Sequence, residues 1–359
     1  MEGEALLKAL QEECVAMGAS DIHLSPEKGN VRLEWRLHGV LTPVDVITHE
    51  RYVELLRRVK FEAKLKLNIT TLPQDGQYTF QAAGRTVNIR VATLPCRFGE
   101  ALTLRLLDPQ RGIIPLERLG FPDEIRQKLA ELVELPNGMI LVTGPTGSGK
   151  TTTLYALLST IIGKERNIIT LEDPVEYELP GIIQSEIDSE KEYTFAAGLR
   201  SILRHDPDVI LVGEIRDLET AQTAVNAALT GHLVLSTLHT NTAIESVQRL
   251  LSMGVSPYTL APALRGVLGQ RLVRTLTPEC QAEGATCDPS SNSTYGGQVC
   301  IPELFVVSPA IQKLILSFES ATVVEEQARK EGYRSMKEWG EDLINARRTT
   351  PEEVARVTG

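Results

Sequence analysis

The stretch Met139-Ile-Leu-Val-Thr-Gly-Pro-Thr-Gly-Ser-Gly-Lys-Thr151 decides the fold class of this chain. An apolar run of β type stands directly before the pattern G-x-x-x-x-G-K-[ST], and a helix-forming run follows it. Strand, glycine-rich turn and helix in this order form a phosphate-binding loop, because backbone N–H groups and the helix N-terminus face phosphate oxygens. The pattern predicts that Lys150 contacts the β- and γ-phosphates of a nucleotide and that Thr151 supplies a hydroxyl to Mg²⁺. A glycine-rich turn without a ligand is the alternative reading.

The segments after this loop predict the rest of a sheet. Apolar runs of β type cover 167–171, 209–212 and 233–237, and they alternate with helical stretches at 151–162, 195–204 and 218–229. That order builds an α/β domain with a mainly parallel sheet and helices on both faces. We place this domain at 118–359, with a helical C-terminal part from about 257 to 359.

The first third of the chain predicts a separate, smaller domain. An amphipathic helix at 3–18 precedes short strand-like runs at 21–24, 31–37, 78–82, 85–93 and 101–107, which are divided by a helical stretch at 50–65 and a turn at 73–76. This pattern predicts a small α+β (PAS-like) domain over 1–108. Two prolines and a glycine between Asp108 and Pro115 predict a linker over 109–117.

Composition limits the classes of protein to which the chain can belong. The 359 residues are 42% hydrophobic, which predicts two packed cores, and the formal charge of −10 argues against direct binding of nucleic acid. The sequence contains no uncharged apolar run of about 18 residues and begins with acidic residues, so we expect a cytoplasmic protein without a transmembrane segment. Its five cysteines are irregularly spaced and predict no disulfide framework.

A second strand-and-turn motif, Val209-Ile-Leu-Val-Gly-Glu214, ends in a carboxylate. A carboxylate at the tip of a strand beside the phosphate-loop strand can hold Mg²⁺ through water or orient the attacking water. The residue types leave both roles open for Glu214. The plainer reading is an acidic cap on the following helix.

Three carboxylates, beginning with Glu172, follow another apolar strand in Thr170-Leu-Glu-Asp-Pro-Val-Glu176. Clustered carboxylates are unfavourable unless a cation or a water network holds them. Glu172 is therefore a second candidate for a catalytic role. An acidic surface turn is the alternative.

Two histidines flank the strand in Gly231-His-Leu-Val-Leu-Ser-Thr-Leu-His-Thr-Asn241. His232 and His239, with the hydroxyls between them, form an arrangement that can sense a γ-phosphate. Their separation lacks the spacing of metal ligands, so we expect no zinc at these histidines. A satisfied core histidine is the alternative reading for each.

Together these motifs resemble those of the type II secretion and type IV pilus assembly ATPases (GspE/PulE, PilB and PilT relatives), over nearly the whole chain. Ser20-Asp-Ile-His23 resembles the opening signature of that family. The later segments resemble its Walker A motif, Asp box, Walker B region and His box, at 144–151, 171–177, 206–217 and 229–241.

The resemblance implies a RecA-like ATPase domain that uses ATP and Mg²⁺. It implies a homo-hexamer, peripheral at the cytoplasmic face of the inner membrane, that acts on an inner-membrane platform protein. It also implies that Glu214 or Glu172 polarises the attacking water and that first-domain arginines, by position Arg90 and Arg105, reach the γ-phosphate. Either arginine can instead be a strand residue paired with a carboxylate.

The predicted site therefore has three sets of residues. We predict as catalytic Glu214, Glu172, Arg90, Arg105 and His239. We predict that the nucleotide is bound by Gly144, Pro145, Thr146, Gly147, Ser148, Gly149, Lys150, Thr151, Thr152 and His232. The predicted Mg²⁺ ligands are Thr151 and Glu214.

The sequence departs from the family at three points. His38 stands where members usually carry Asp, and the long N-terminal platform-binding domain of many extension ATPases is not expected. The secretion and extension branches often hold zinc on two C-x-x-C pairs, whereas here Cys280, Cys287 and Cys300 form no such pair. We therefore expect no zinc, because a structural zinc site normally has four ligands.

Several functions agree with these motifs. A motor for protein secretion or pilus extension is favoured, and a pilus-retraction motor is the second enzyme reading. A nucleotide-gated scaffold with negligible turnover is the reading from another class, and the presence of Lys150, Thr151, Glu172 and Glu214 argues against it. The net acidity disfavours a DNA-translocating ATPase.

Overall fold

The computed structural model describes residues 2–82, 84–188 and 191–359. The chain divides into two compact units, Met1–Gly112 and Ile113–Gly359. Over the described ranges, no helix is long and apolar enough to cross a membrane.

The first unit contains a six-stranded antiparallel sheet in the order β3-β2-β1-β6-β5-β4. Its elements in chain order are α1 (Glu2–Met17), β1 (Asp21–Pro26), β2 (Val31–Leu37), β3 (Val40–Ile47), α2 (His49–Glu62), β4 (Gln74–Ala82), β5 (Arg85–Cys96), β6 (Gly99–Leu107) and α3 (Pro109–Gly112). Leu10 of α1 and Leu55 of α2 pack with alternate strand residues such as Ile89 in one core. The other side chains of β5, including Arg90, lie on the opposite face of the sheet because strand side chains alternate.

The sequence missed one strand of this sheet. β3 joins β2 through a two-residue turn at His38 and Gly39, whose φ angles are 48° and 79°. A turn with positive φ at both residues matches the twist of a hairpin. β3 is exposed along most of its length and therefore lacks the apolar alternation that predicts a strand. The predicted turn at 73–76 is wrong over 74–76, because these residues are the first three of β4.

The second unit contains a seven-stranded sheet in the order β13-β12-β7-β11-β10-β8-β9. Its main elements are α4 (Asp123–Glu134), β7 (Gly138–Thr143), α5 (Lys150–Ser159), β8 (Ile168–Glu172), β9 (Ile183–Glu186), α6 (Phe195–Ile202), β10 (Val209–Val212), α7 (Leu218–Leu229), β11 (Leu233–Leu238), α8 (Glu245–Ser252), α9 (Pro257–Ala263), β12 (Leu264–Leu276), α10 (Pro278–Gln281), β13 (Tyr295–Val306), α11 (Pro309–Leu316), α12 (Ala321–Lys330), α13 (Met336–Asn345) and α14 (Pro351–Thr358). Neighbours from β12 to β9 pair in parallel, and β13 pairs antiparallel with β12.

Apolar cores cover both faces of this sheet. All six residues of β7 are buried. Met139 and Leu141 belong to one core, and Ile140 and Val142 belong to the other. A strand that is buried on both faces has a continuous apolar run, which is why β7, β8, β10 and β11 could be predicted from the sequence.

The predicted helical part from about 257 to 359 is wrong over 264–306. This segment forms the long hairpin of β12 and β13, which extends the main sheet beyond β7. Gly266 and Gly269 allow close packing, because a Cβ at these positions would lie 2.9 Å from Leu132 Cδ1 and 2.7 Å from Glu303 Cγ. The helices α11 to α14 follow the hairpin, as predicted for the rest of the segment.

One pair of cysteines forms a disulfide, although the sequence predicted no disulfide framework. Cys280 and Cys287 form a local disulfide in the segment that joins β12 to β13. Cys14, Cys96 and Cys300 are free thiols, and burial raises the pKa of Cys300. In the described part of the chain, no three His, Cys, Asp or Glu side chains are grouped as metal ligands. That the protein holds no zinc stays a prediction.

Candidate active site

The carboxyl ends of β7, β11, β10 and β8 meet at one edge of the main sheet. Val212 at the end of β10 is in register with Ser236 of β11 and with Leu171 of β8. Leu238 at the end of β11 is in register with Thr143 at the end of β7. In parallel sheets of this kind, ligands bind outside the carboxyl ends of the strands.

The loop from Gly144 to Gly149 leaves β7 at this edge and leads into α5. Gly144 has φ of 148° and Gly149 has φ of 87°, a region that other residues adopt with strain. A Cβ at Gly144 would also lie 2.5 Å from Ser148 Oγ and 2.6 Å from the Gln270 carbonyl oxygen. Both conformation and space therefore require glycine at the first position of the loop.

Lys150 lies over the loop backbone. Its Nζ donates to the carbonyl oxygens of Gly144, at 2.9 Å, and Pro145, at 3.1 Å. Burial lowers the pKa of Lys150, the nearby carboxylate of Glu214 opposes that effect, and the charge of Arg271 adds to it. The ammonium group is thus held at the loop within the electrostatic range of Glu214.

The loop has the features that a phosphate group needs. Pro145, Thr146 and Gly147 are exposed, whereas Ser148 is buried and its Oγ has no hydrogen-bond partner among the described residues. A buried hydroxyl without a partner is unfavourable unless a ligand or water satisfies it. Thr151 and Thr152 lie in the first turn of α5, where N–H groups and the helix dipole favour an anion.

Glu214 lies just beyond β10. One carboxylate oxygen accepts from Arg216 Nη2 at 2.5 Å, and the other lies 3.4 Å from His239 Nε2. The Glu214 side chain is 18% exposed. The acidic cap of the following helix, α7, is Asp217 and not Glu214, because the Asp217 side chain accepts from the backbone N–H of Thr220.

Glu172 ends β8 and is buried. One of its oxygens accepts from the hydroxyl of Tyr155, and the other accepts from Thr170 Oγ1 at 2.6 Å and Gln184 Nε2 at 3.2 Å. Burial and the charge of Glu172 raise the pKa of Tyr155. Hydrogen bonds from side chains of α5, β8 and β9 therefore already satisfy both oxygens of this carboxylate.

His239 follows β11 and faces Glu214. The hydroxyl of Thr237 donates to the Gly213 carbonyl oxygen at 2.7 Å, and that of Ser236 donates to the Val212 carbonyl oxygen at 2.7 Å. These bonds join the end of β11 to the turn that carries Glu214. The backbone N–H of Thr240 donates to Thr143 Oγ1 at 2.9 Å, which joins the segment after His239 to β7.

The structure does not bring His232 to this edge. His232 precedes β11, its carbonyl oxygen accepts from the Gly138 N–H at the start of β7, and its ring Nδ1 contacts the Ala227 carbonyl oxygen at 3.0 Å. The six residues of β11 separate the two histidines, which is about 20 Å at the rise of a strand. Within one chain, His232 and the phosphate loop therefore lie at opposite edges of the sheet.

Arg90 and Arg105 lie side by side in the sheet of the first unit. They are opposite each other in β5 and β6, and Asp21 of β1 is opposite Arg105 on the other side. Arg105 Nε donates to Asp21 Oδ1 at 2.8 Å, and Arg36 Nε lies 3.8 Å from Asp21 Oδ2. Arg105 thus forms the ion pair named in the alternative reading, while its side chain remains 51% exposed.

Sequence reasoning missed Gln270 and Arg271. Gln270 is 1% exposed and bonds to the phosphate loop and to α5. Arg271 bonds to Asn241 in the segment after His239. The polar pair interrupts an apolar run, Leu264-Arg-Gly-Val-Leu-Gly-Gln-Arg-Leu-Val273, and that interruption was the one signal available.

Fold and site together define a class. The chain is an α/β P-loop protein whose nucleotide loop, acidic strand end and histidine meet at the carboxyl edge of a mainly parallel sheet. A P-loop with a carboxylate on a nearby strand is the arrangement of enzymes that hydrolyse nucleoside triphosphates.

Comparisons with known proteins give the family. Residues 3–356 match the family of the type II/IV secretion system protein. The chain is 45% identical to the type II secretion system protein HxcR of Pseudomonas aeruginosa, over 98% of this chain and 76% of that protein. It is 42% identical to the type II secretion system ATPase E of Vibrio cholerae, over 98% and 75%. The ADP-bound crystal structure of the pilus retraction motor PilT superposes with a TM-score of 0.68 at 30% identity, over 98% of this chain and 96% of that one.

The chain therefore belongs to the type II/IV secretion system protein family, and it is a RecA-like ATPase.

Proposed function

We propose that this ATPase is the motor of a type II secretion system, in which hydrolysis at the loop Gly144–Gly149 powers the assembly of secretion pseudopili. The observation that carries the proposal is the position of Glu214, which contacts His239 and lies within electrostatic range of Lys150 at one sheet edge. Relatives that are 41–45% identical and named as type II secretion proteins support the choice of machine.

In this proposal the phosphate loop, Lys150, Thr151 and Glu214 each have a defined part. The loop N–H groups and Lys150 bind the β- and γ-phosphates, and the hydroxyl of Thr151 with the carboxylate of Glu214 suits the oxygen ligands that Mg²⁺ prefers. Mg²⁺, when bound, supplies positive charge against the phosphate oxygens. The unpartnered hydroxyl of Ser148 supports the fit of a phosphate group to this loop.

We assign the orientation of the attacking water to Glu214 rather than to Glu172. Glu214 is 18% exposed and contacts two exposed side chains, Arg216 and His239, so it can accept a proton or a hydrogen bond from water. Glu172 is 4% exposed and both of its oxygens accept from protein groups. His239 then orients the Glu214 carboxylate, and Glu172 holds β8 against α5.

The remaining parts of the proposal concern assembly. We propose a homo-hexamer at the cytoplasmic face of the inner membrane, which acts on a platform protein of the secretion machine. In this ring, Arg90 and Arg105 supply positive charge to the phosphates, because a planar guanidinium suits the charge that develops on phosphoryl oxygens. Their place on the side of the sheet away from the helices supports this role.

Phosphate release at increasing protein concentration tests the motor. We expect specific activity to rise as rings form, and Arg105→Ala to bind nucleotide but to lose most hydrolysis. Arg36→Ala is the matched control, because Arg36 also neighbours Asp21. No turnover at any concentration, with ATP binding retained, would make the chain a scaffold and contradict the proposal. Turnover in both Arg90→Ala and Arg105→Ala at the parent rate would exclude the arginine contacts.

A pilus-retraction motor is the second candidate, because the solved retraction motor is similar over 98% of this chain. Its 30% identity is below the 45% of the secretion relative. Deletion of the gene separates the two: blocked secretion is the expected result, and excess immobile pili would establish retraction instead.

A further inference from the structure

Both ends of the buried Gln270 amide in β12 form hydrogen bonds, one to the nucleotide loop and one to α5. Its Nε2 donates to the Ser148 carbonyl oxygen at 2.6 Å, and its Oε1 accepts from Thr153 Oγ1 at 2.9 Å. Ser148 precedes Lys150 by two residues, and Thr153 follows it by three. The amide thus fixes the chain on both sides of the lysine.

The loop also packs closely on Gln270. A Cβ at Gly144 would lie 2.6 Å from the Gln270 carbonyl oxygen, and a Cβ at Gly149 would lie 3.2 Å from its Nε2. The first and last glycines of the loop therefore both lie against this one residue. An amide buried at this depth stays satisfied only while the loop keeps this shape, because an unsatisfied buried polar group is unfavourable.

Arg271, the next residue of β12, connects a different segment. Its Nη1 donates to the Gln270 carbonyl oxygen at 3.2 Å and its Nη2 donates to the Asn241 carbonyl oxygen at 3.0 Å. Asn241 is two residues beyond His239. Burial lowers the pKa of Arg271, and the nearby carboxylates of Glu303 and Glu245 oppose that effect.

We propose that Gln270 and Arg271 are positioning residues of the ATPase site: Gln270 holds the phosphate loop in its binding shape, and Arg271 ties the same strand to the segment that carries His239. Side chains of consecutive strand residues point to opposite sides, so one rigid strand can fix both segments. A loop that is ordered before the ligand arrives loses less conformational freedom on binding. The inference rests on the proposed assignment of the nucleotide to the loop Gly144–Gly149.

Nucleotide binding tests the Gln270 contact. Gln270→Met keeps the length of the side chain and removes both hydrogen bonds, so we expect the Kd of a fluorescent ADP analogue and the KM for ATP to rise about tenfold. We expect kcat at saturating ATP to stay within about threefold. Gln298→Met, at an exposed position of β13 in the same hairpin, is the matched control and should leave Kd unchanged.

Variants of Thr153 test the same contact from the other side. Thr153→Val removes the hydroxyl that donates to Gln270 and should raise Kd about threefold, whereas Thr153→Ser should restore the parent value. A residue that only stabilised the fold would lower the melting temperature without this separation of KM from kcat. If Gln270→Met does not fold, equal Kd values for Thr153→Val and Thr153→Ser overturn the role of Gln270.

Arg271→Lys tests the contacts of Arg271, because a lysine ammonium group lacks the two separate Nη donors with which the guanidinium contacts the carbonyl oxygens of Gln270 and Asn241. We expect kcat to fall about tenfold with Kd within threefold. A parent-like kcat overturns the role of Arg271, and a parent-like Kd in Gln270→Met overturns that of Gln270. If Lys150→Ala binds nucleotide as tightly as the parent, the loop assignment itself is overturned, which is a separate result.

Discussion

Glu172 and Glu214 end neighbouring strands of one sheet, yet their surroundings differ. Glu172, at the end of β8, is 4% exposed and accepts hydrogen bonds from Tyr155, Thr170 and Gln184. Glu214, beyond the end of β10, is 18% exposed and contacts an exposed arginine and a histidine. Two carboxylates at the same edge of a sheet therefore differ in how freely water can reach them. We propose that the number of protein donors already bound to each carboxylate separates the catalytic role of Glu214 from the structural role of Glu172.

Replacement of Glu214 should have the largest effect on activity. Glu214→Gln keeps the shape of the side chain and removes its charge, so we expect kcat to fall by about 100- to 10,000-fold, the usual contribution of a catalytic acid or base. Nucleotide affinity measured without Mg²⁺ should change little, because the proposed contact of Glu214 to the nucleotide runs through the metal. Steady-state phosphate release and equilibrium binding measure the two quantities, and a kcat within fivefold of the parent would remove Glu214 from the mechanism.

Disruption of the Glu172 contacts should lower stability more than catalysis. Tyr155→Phe removes only the hydroxyl that donates to Glu172, so we expect the free energy of unfolding to fall by about 1–3 kcal/mol. The value of kcat should remain within about threefold at a temperature where the variant is folded. Chemical denaturation measures the stability. A large loss of kcat with unchanged stability would instead place Glu172 in the reaction.

The two histidines sharpen the comparison of strand ends. His239 lies 3.4 Å from Glu214, whereas His232 is at the other end of β11. We expect His239→Ala to lower kcat about tenfold, because a contact to a charged group is lost. His232→Ala is its control and should change kcat less than twofold. Equal losses in both variants would point to a role of His232 in a neighbouring subunit.

The smallest effect on activity is expected at a third carboxylate, Glu353. Although burial opposes ionisation, hydrogen bonds from Arg356 and Arg274 lower the pKa of Glu353 to about 2. A lowered folded-state pKa stabilises the fold above the ordinary Glu value, and that stability is lost as pH falls from about 4.5 towards 2. In Glu353→Gln the decrease in melting temperature over this range should be smaller, with kcat unchanged at pH 7. An identical acid profile in both proteins would exclude this linkage.

Features that one contiguous stretch encodes could be predicted from the sequence, whereas a strand that is held by pairing with distant segments was missed. The phosphate loop and the end of β10 are each coded by one contiguous stretch, so Lys150 and Glu214 could be identified directly. β12 is held by β7 and β13, and its leucine-rich run is compatible with a buried helix or strand. Gln270 and Arg271 were missed for this reason. The sequence shows that His232 and His239 flank a strand, but predicting both at one site ignored the length of that strand, about 20 Å, which separates its two ends.

The nucleotide recovered from the purified variants tests the central claim most directly. Each protein is mixed with a limiting amount of ATP, separated from free nucleotide by rapid filtration and extracted after several parent turnover times. We expect ADP from the parent and from Tyr155→Phe, and intact ATP from Glu214→Gln. Recovery of ADP from Glu214→Gln in the parent's proportion would contradict the assignment of Glu214 as the residue that orients the attacking water.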